Sequence, residues 1–195
     1  RKENKMSFSN LTKSQARLRQ RGKCAHCGES LNEGVRLPLE GITAQILNTW
    51  EVHNEINLYL IGQIPAKGFQ AVPALSKGRT VGEQLAHMNR VRLGWLAHHT
   101  TGNRPDLPRV KGSNPTRAQL KKAFAQSGKN VAEFVAQSLA GKAAPRWFKK
   151  NPVRWMAYLV SHESHHRGQI MLALKQNGMR MPDKIALDGL WAKWI

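Results

Sequence analysis

Cysteine is almost missing from this 195-residue sequence: Cys24 and Cys27 are the only two. Two are too few for a disulfide framework, and a cytosolic, reducing location is expected. Acidic residues are also scarce, 12 Asp and Glu against 31 Lys and Arg, giving a formal net charge of +19. Long apolar runs are absent. None approaches the ~20 residues that a membrane span requires, so the sequence reads as soluble, with no membrane partner. The opening RKENKMSFSN is charged and polar with no apolar core behind it, which argues against a secretory signal and for a cytoplasmic protein. Met6 reads as a natural start, with residues 1–5 upstream of it. No segment alternates as a strand would, and no internal repeat is visible.

Six Trp and five Phe suit one compact domain with a real core and an appendage. The appendage is residues 1–36, a short basic extension with nine bases, three acids and few large apolar residues. Its QRGKCAHCGESL places a lone C-x-x-C in a glycine-flanked turn, half of a zinc knuckle with no second pair to close it. The stretch loosely resembles the cysteine-containing start of HNH-type nuclease domains, but no HNH body follows. It reads as a disordered basic arm, or as a pair pooled between two chains into one zinc site. The positive charge favours nucleic acid or other anionic partners, and a solvated basic surface explains it equally well.

Residues 37–195 read as an all-α domain, a four-helix bundle. Helix one is expected from about Ile42 to Ile61, with Ile42, Ile46, Trp50, Ile56 and Leu60 on one face. Helix two begins at the capping box T-V-G-E, residues 80–83, and ends near His99. Helix three is expected to start with Asn114 as cap and Pro115 in the first turn, and to end near Gly141. Helix four repeats that start with Asn151 and Pro152 and stops at Asn177-Gly178. Trp191 and Trp194 in the tail are expected to pack on the bundle or on a partner chain.

Within helix four, His162-Glu163-Ser164-His165-His166 spells H-E-x-x-H. His166 lies about 40° around the helix from His162, and both sit on the face marked by Trp155, Leu159 and Ala173. Residues four apart have Cβ atoms roughly 5–6 Å apart, close enough for two imidazoles to share one ion. Glu163, about 100° from His162, is expected to turn toward solvent or a neighbouring helix, which makes it incidental. The alternative for the histidines is a hydrogen-bonded structural pair.

A zinc protease would need a third ligand downstream, but the only acids after residue 166 are Asp183 and Asp188. The longer protease motif fails as well, because Gln169 and Leu172 stand where Gly and His are required. An HExxH metalloprotease is therefore disfavoured. Glu163-x-x-His166 also imitates the di-iron carboxylate motif, which needs a second copy that this acid-poor chain lacks.

A third ligand should come from an upstream helix. His87 lies at the core boundary of helix two, allowed by periodicity but not demanded by it. His98, about 16 Å further along the axis, cannot share an ion with His87; His98 and His99 more simply complement the helix dipole. His53 sits mid-face on helix one as a pocket acid/base or a hydrogen-bonded core residue, and less readily as a fourth ligand.

Three segments, NTWEVHNEINLYL, GRTVGEQLAHMNRVRLGWL and LVSHESHHRGQIMLALKQNG, resemble the DinB/YfiT-like metalloenzyme family over about residues 40–195. The resemblance implies a four-helix bundle, often a homodimer, with one divalent ion, zinc or nickel, on three histidines. By motif these match His87, His162 and His166. Some relatives are thiol-dependent transferases or isomerases that act with low-molecular-weight thiols, so a transferase or a hydrolase on a small-molecule substrate is implied. Candidate catalytic residues are Glu83, His53, Tyr158 and Gln169, with Asn57 as a further polar group. For Glu83 the competing reading is the capping box alone. Gly94 and Gly168 are read as packing positions or as sites of close ligand approach. Two other classes compete: a basic nucleic-acid-binding helical protein, using residues 104–122 and 142–154 with the N-terminal arm, and a bundle whose histidines only hydrogen-bond.

Overall fold

The second helix starts where its sequence says it should. The Thr80 hydroxyl accepts the Glu83 N–H while the Glu83 carboxylate accepts the Thr80 N–H at 2.8 Å, satisfying two donors that a helix start would otherwise leave unpaired. The computed structural model describes residues 39–75, 77–102, 110 and 114–195. The basic extension with Cys24 and Cys27, and most of the 103–113 connection, lie outside the described residues.

Four long helices carry the fold: α1 (Leu39–Gln63), α2 (Val81–Thr101), α3 (Arg117–Leu139) and α4 (Pro152–Gln176). A short α5 (Asp183–Ala186) follows, continued by a π turn over Leu187–Trp191 and a 3-10 turn over Ala192–Trp194. The described residues contain no strand. No helix among them is long and apolar enough to cross a membrane.

The start of α3 differs from expectation. Thr116 is the cap, its hydroxyl accepting the Gln119 N–H, and Gln119 returns a carbonyl to the Thr116 N–H at 2.8 Å. Asn114 and Pro115 stay outside the helix, and Pro115 is buried, with its ring 3.4 Å from where a Cβ on Gly82 would lie. The α4 start is as read: Asn151 Oδ1 accepts the Arg154 N–H and Pro152 opens the helix. Gly178, at φ 71°, supplies the left-handed residue just past its end.

Core membership fixes the helix directions. One apolar cluster gathers Leu60 and Ile61 of α1 with Ile64 just after it, Val81, Leu85 and Met88 of α2, Leu120 and Phe124 of α3, and Ile170, Ala173 and Leu174 of α4. A second holds Trp50, Val131, Phe134, Val135, Trp155, Met156 and Leu159. Hence α2 and α3 run from the first cluster toward the second, while α1 and α4 run the opposite way. α2 and α3 are accordingly parallel, both antiparallel to α1 and α4.

Between the clusters lies a polar layer. His53 and Asn57 of α1, Arg92 of α2, Ser127 of α3 and Glu163 of α4 are all buried at this level. Gly128 adjoins it. Its carbonyl accepts the Trp50 indole N–H at 2.8 Å, and a Cβ at Gly128 would collide with the Asn54 carboxamide. The tail returns to α1 through Gly189, which sits against the Tyr59 ring, and through a Lys193–Glu55 contact of 3.3 Å. The Trp194 ring centroid lies 6.4 Å from that of His53, whereas Trp191 is 69% exposed.

Gly128→Ala is expected to lower stability by about 1–3 kcal/mol through overpacking, outweighing a helix-propensity gain of up to ~1 kcal/mol. Urea unfolding followed by circular dichroism checks this, and an unchanged or raised midpoint would contradict the close approach of α1 and α3.

Candidate metal centre

His162 and His166, one turn apart on α4, face His87 of the adjacent antiparallel α2. One potential ligand atom from each lies within 4.8 Å of the other two. Ring centroids are separated by 4.6 Å for His162–His166, 5.4 Å for His87–His162 and 5.0 Å for His87–His166. His166 is buried and the other two are half-buried, so the group opens outward rather than into the bundle axis.

Burial holds all three rings neutral. The His87 imidazole falls to about 4 because burial disfavours the cation and the Arg79 charge adds to that. His166 also falls to about 4, through burial and then the neighbouring His162, and His162 is lowered by burial. Neutral imidazole is the form that ligates a divalent ion. The Nδ1 atoms of His162 and His166 are buried without a hydrogen-bond partner, leaving polar capacity that burial makes costly. The donor set fits zinc or nickel, both of which imidazole suits.

The buried arc of α4 is rotated from its sequence reading. It runs from Trp155 and Ala173 through Leu159 and Ile170 to Met156 and Leu174, so its centre lies about 70° from His162. His162, Tyr158 and Gln169 fall on its open edge, and Glu163 falls inside.

The expectation that Glu163 is incidental is therefore overturned. Its side chain is 0% exposed, and Arg92 grips it through Nε to Oε1 and Nη2 to Oε2, both 2.7 Å. Asn57 Nδ2 donates to Oε2 at 2.7 Å, and His53 Nε2 lies 2.9 Å from the same oxygen. Burial alone would raise this carboxyl, but the Arg92 charge and hydrogen bonds, followed by those of His53, hold it at about 2. Burial lowers His53 despite the carboxylate. A neutral ring donating from Nε2 fits its partners, with Nδ1 accepting from Arg167 Nη1 at 3.4 Å. Of the readings open for His53, the structure supports the hydrogen-bonded core residue. A glutamate committed to Arg92 cannot serve as the base of an H-E-x-x-H protease site.

The other candidates separate by position. Glu83 is occupied by the capping box. Tyr158 stacks on His162 at 6.0 Å and 21°, and lines a cavity of about 260 Å³ with His87, Gly94 and Trp95. Gln169 is exposed and lines a second cavity, about 340 Å³, with His166, Arg79 and Gln84. Gly168 has open space where a Cβ would be, so the packing role expected for it is absent.

His99 does not complement the helix dipole. It is buried, stacked on Phe134 at 5.5 Å and set edge-on to Trp155 at 5.0 Å, and burial lowers it to about 4. Arg92 and Trp95 were not singled out by the sequence reading. A signal for Arg92 existed: it stands one turn after Met88, about 40° from the centre of the apolar face of α2.

Glu163→Ala leaves the Arg92 guanidinium buried without its counter-charge and is expected to cost about 3–5 kcal/mol. Denaturant titration measures it; a loss below ~1 kcal/mol would contradict a buried pair.

No curated protein matches the chain. The DinB family pattern matches residues 38–195, a span that takes in all four long helices and the three clustered histidines. With that span covered, the chain belongs to the DinB family.

Proposed function

We propose that the chain is a metal-dependent enzyme in which His87, His162 and His166 hold one divalent ion, zinc or nickel, for a thiol-dependent transfer, with hydrolysis as the alternative. The observation that carries the reading is the convergence of three neutral imidazoles from two helices at one point of the surface. When bound, the ion supplies a Lewis acid that lowers the pKa of a water or thiol at its open position. The protein positions the ligands by packing and by the ion pair next to them. Glu163, adjacent in sequence to His162, fixes the rotation of α4 through Arg92 of α2, five residues beyond His87.

Two cavities flank the histidines, one reached at His87 and the other at His166. Two entrances suit the joining of two substrates better than hydrolysis, which needs only one besides water. In the second cavity, Gln84 Oε1 is buried without a partner, and Arg79 and Gln169 stand beside it. These groups can orient the polar end of a low-molecular-weight thiol.

Elemental analysis of protein purified without chelators is expected to give about one divalent ion per chain, with His162→Ala and His166→Ala each losing it. A metal-free wild type, with both variants as stable as it, would remove the reading.

A second reading rests on the segment before α4. Trp147 is 62% exposed amid exposed Lys142, Arg146, Lys149, Lys150 and Arg154. An aromatic platform among cations is the combination that binds single-stranded nucleic acid. If these five cations meet phosphates, affinity for a single strand should fall with salt at a log–log slope of roughly −3.5. Fluorescence anisotropy with a labelled oligonucleotide measures it, and absence of binding at low salt would eliminate this reading.

A further inference from the structure

The cavity beside His87 has a composition that the three histidines do not explain. Its α2 lining consists of His87, Arg90, Val91, Gly94 and Trp95, successive neighbours on one helix face. Tyr158 closes it from α4. Gly94 contributes no side chain to that face.

The walls are aromatic and braced. Trp95 stands edge-on to Tyr158 at 6.0 Å and 84°, and to Phe148 at 5.1 Å and 72°. Tyr158 in turn stacks on His162. A planar group in this cavity would meet the Trp95 and Tyr158 rings and the His87 imidazole. Offset and edge-to-face ring contacts of this kind add attraction beyond burial.

Charge narrows the occupant further. The helices that carry the histidines, α2 and α4, contain only two carboxylates, Glu83 and Glu163. Glu83 is bound to the Thr80 N–H and Glu163 to Arg92; Glu163 acts on His162 from behind, and neither carboxylate lines the cavity. Arg90 lines it, and both Arg79 and Arg90 act on His87 with positive charge. Three neutral ligands would also leave a divalent ion its full charge. A neutral occupant would leave this field unanswered.

We infer that the cavity takes a planar aromatic substrate bearing an acidic group, with its ring against Trp95 and Tyr158, its anion toward Arg90, and its size limited at Gly94. The metal reading supplies the chemistry on this substrate; its binding rests on the cavity alone.

Titration calorimetry of the zinc-loaded full chain with 2-naphthoate and with the neutral 2-naphthalenemethanol tests the inference, with zinc content measured on the same samples. Wild type is expected to bind naphthoate about tenfold or more tighter than the alcohol, in keeping with a charge-assisted contact. Arg90→Gln, at an exposed position, should remove most of that preference. Gly94→Leu should abolish binding of both compounds with zinc content unchanged. Should Gly94→Leu fail to fold, Tyr158→Ala, also at an exposed position, should weaken both compounds alike.

Equal affinity for the two compounds overturns the inference, as does naphthoate binding that survives Gly94→Leu. A preference that survives Arg90→Gln places the anion on the ion and overturns the Arg90 assignment. Zinc present with no naphthoate bound removes the inference and spares the metal reading. Arg90- and Gly94-dependent binding to a chain that holds no zinc does the reverse.

Discussion

The bidentate contact between Arg92 and Glu163 reaches every long helix of the bundle. It joins α2 to α4 directly, draws in α1 through His53 and Asn57, and meets α3 where Arg92 Nη1 donates to the Phe124 carbonyl and Ser127 Oγ, both at 3.3 Å. The guanidinium also lies over the Trp50 and Phe124 rings, 4.8 and 4.7 Å from their centroids. Burying two opposite charges carries a large desolvation cost that only good geometry offsets. Alternative rotations or registers of the helices would leave one charge unpaired. Apolar clusters above and below this layer supply the cohesion, and the layer selects one arrangement of them.

That selection extends to the histidines. Glu163 sits next to His162 and three residues before His166, so the rotation that buries the carboxylate turns the His162 imidazole to the open edge of α4 and keeps His166 buried beside it. The register that brings Arg92 to Glu163 also sets His87 opposite the pair. Positioning of the candidate ligands thus comes from an ion pair that touches none of them. The scarcity of acids in the whole chain becomes local here: the few carboxylates near the histidines are committed to a cap and to an arginine, leaving a cationic opening. Such an opening suits an ion held by neutral ligands and anionic partners for it. It does not suit a protease or a di-iron centre, both of which require free carboxylates.

Much of the fold was legible because helix starts are local. The boxes and caps at Thr80 and Asn151 depend on residues within one turn, and so does the stop at Gly178. Pro115 misled because proline in a first helical turn and proline just before a cap look alike in sequence; its burial against Gly82 is a tertiary fact. The i,i+4 histidine pair was also visible, but its orientation was not. A helical wheel weighted by apolar residues treats glutamate and arginine as solvent-facing, and a carboxylate and guanidinium that neutralise each other across two helices defeat that rule. His87 was chosen through family likeness rather than periodicity, since its place at the core edge is compatible with several roles. His99 was misread for the related reason that the aromatic cage around it is assembled from three helices and the turn before α4.

The proposed function requires His87, His162 and His166 to share one divalent ion. Anomalous diffraction from a crystal of the native chain, recorded on either side of the zinc and nickel absorption edges, tests it most directly. A single strong peak bounded by these three rings is the predicted result. A peak elsewhere, such as at the Cys24–Cys27 pair, with none among the three histidines would contradict it.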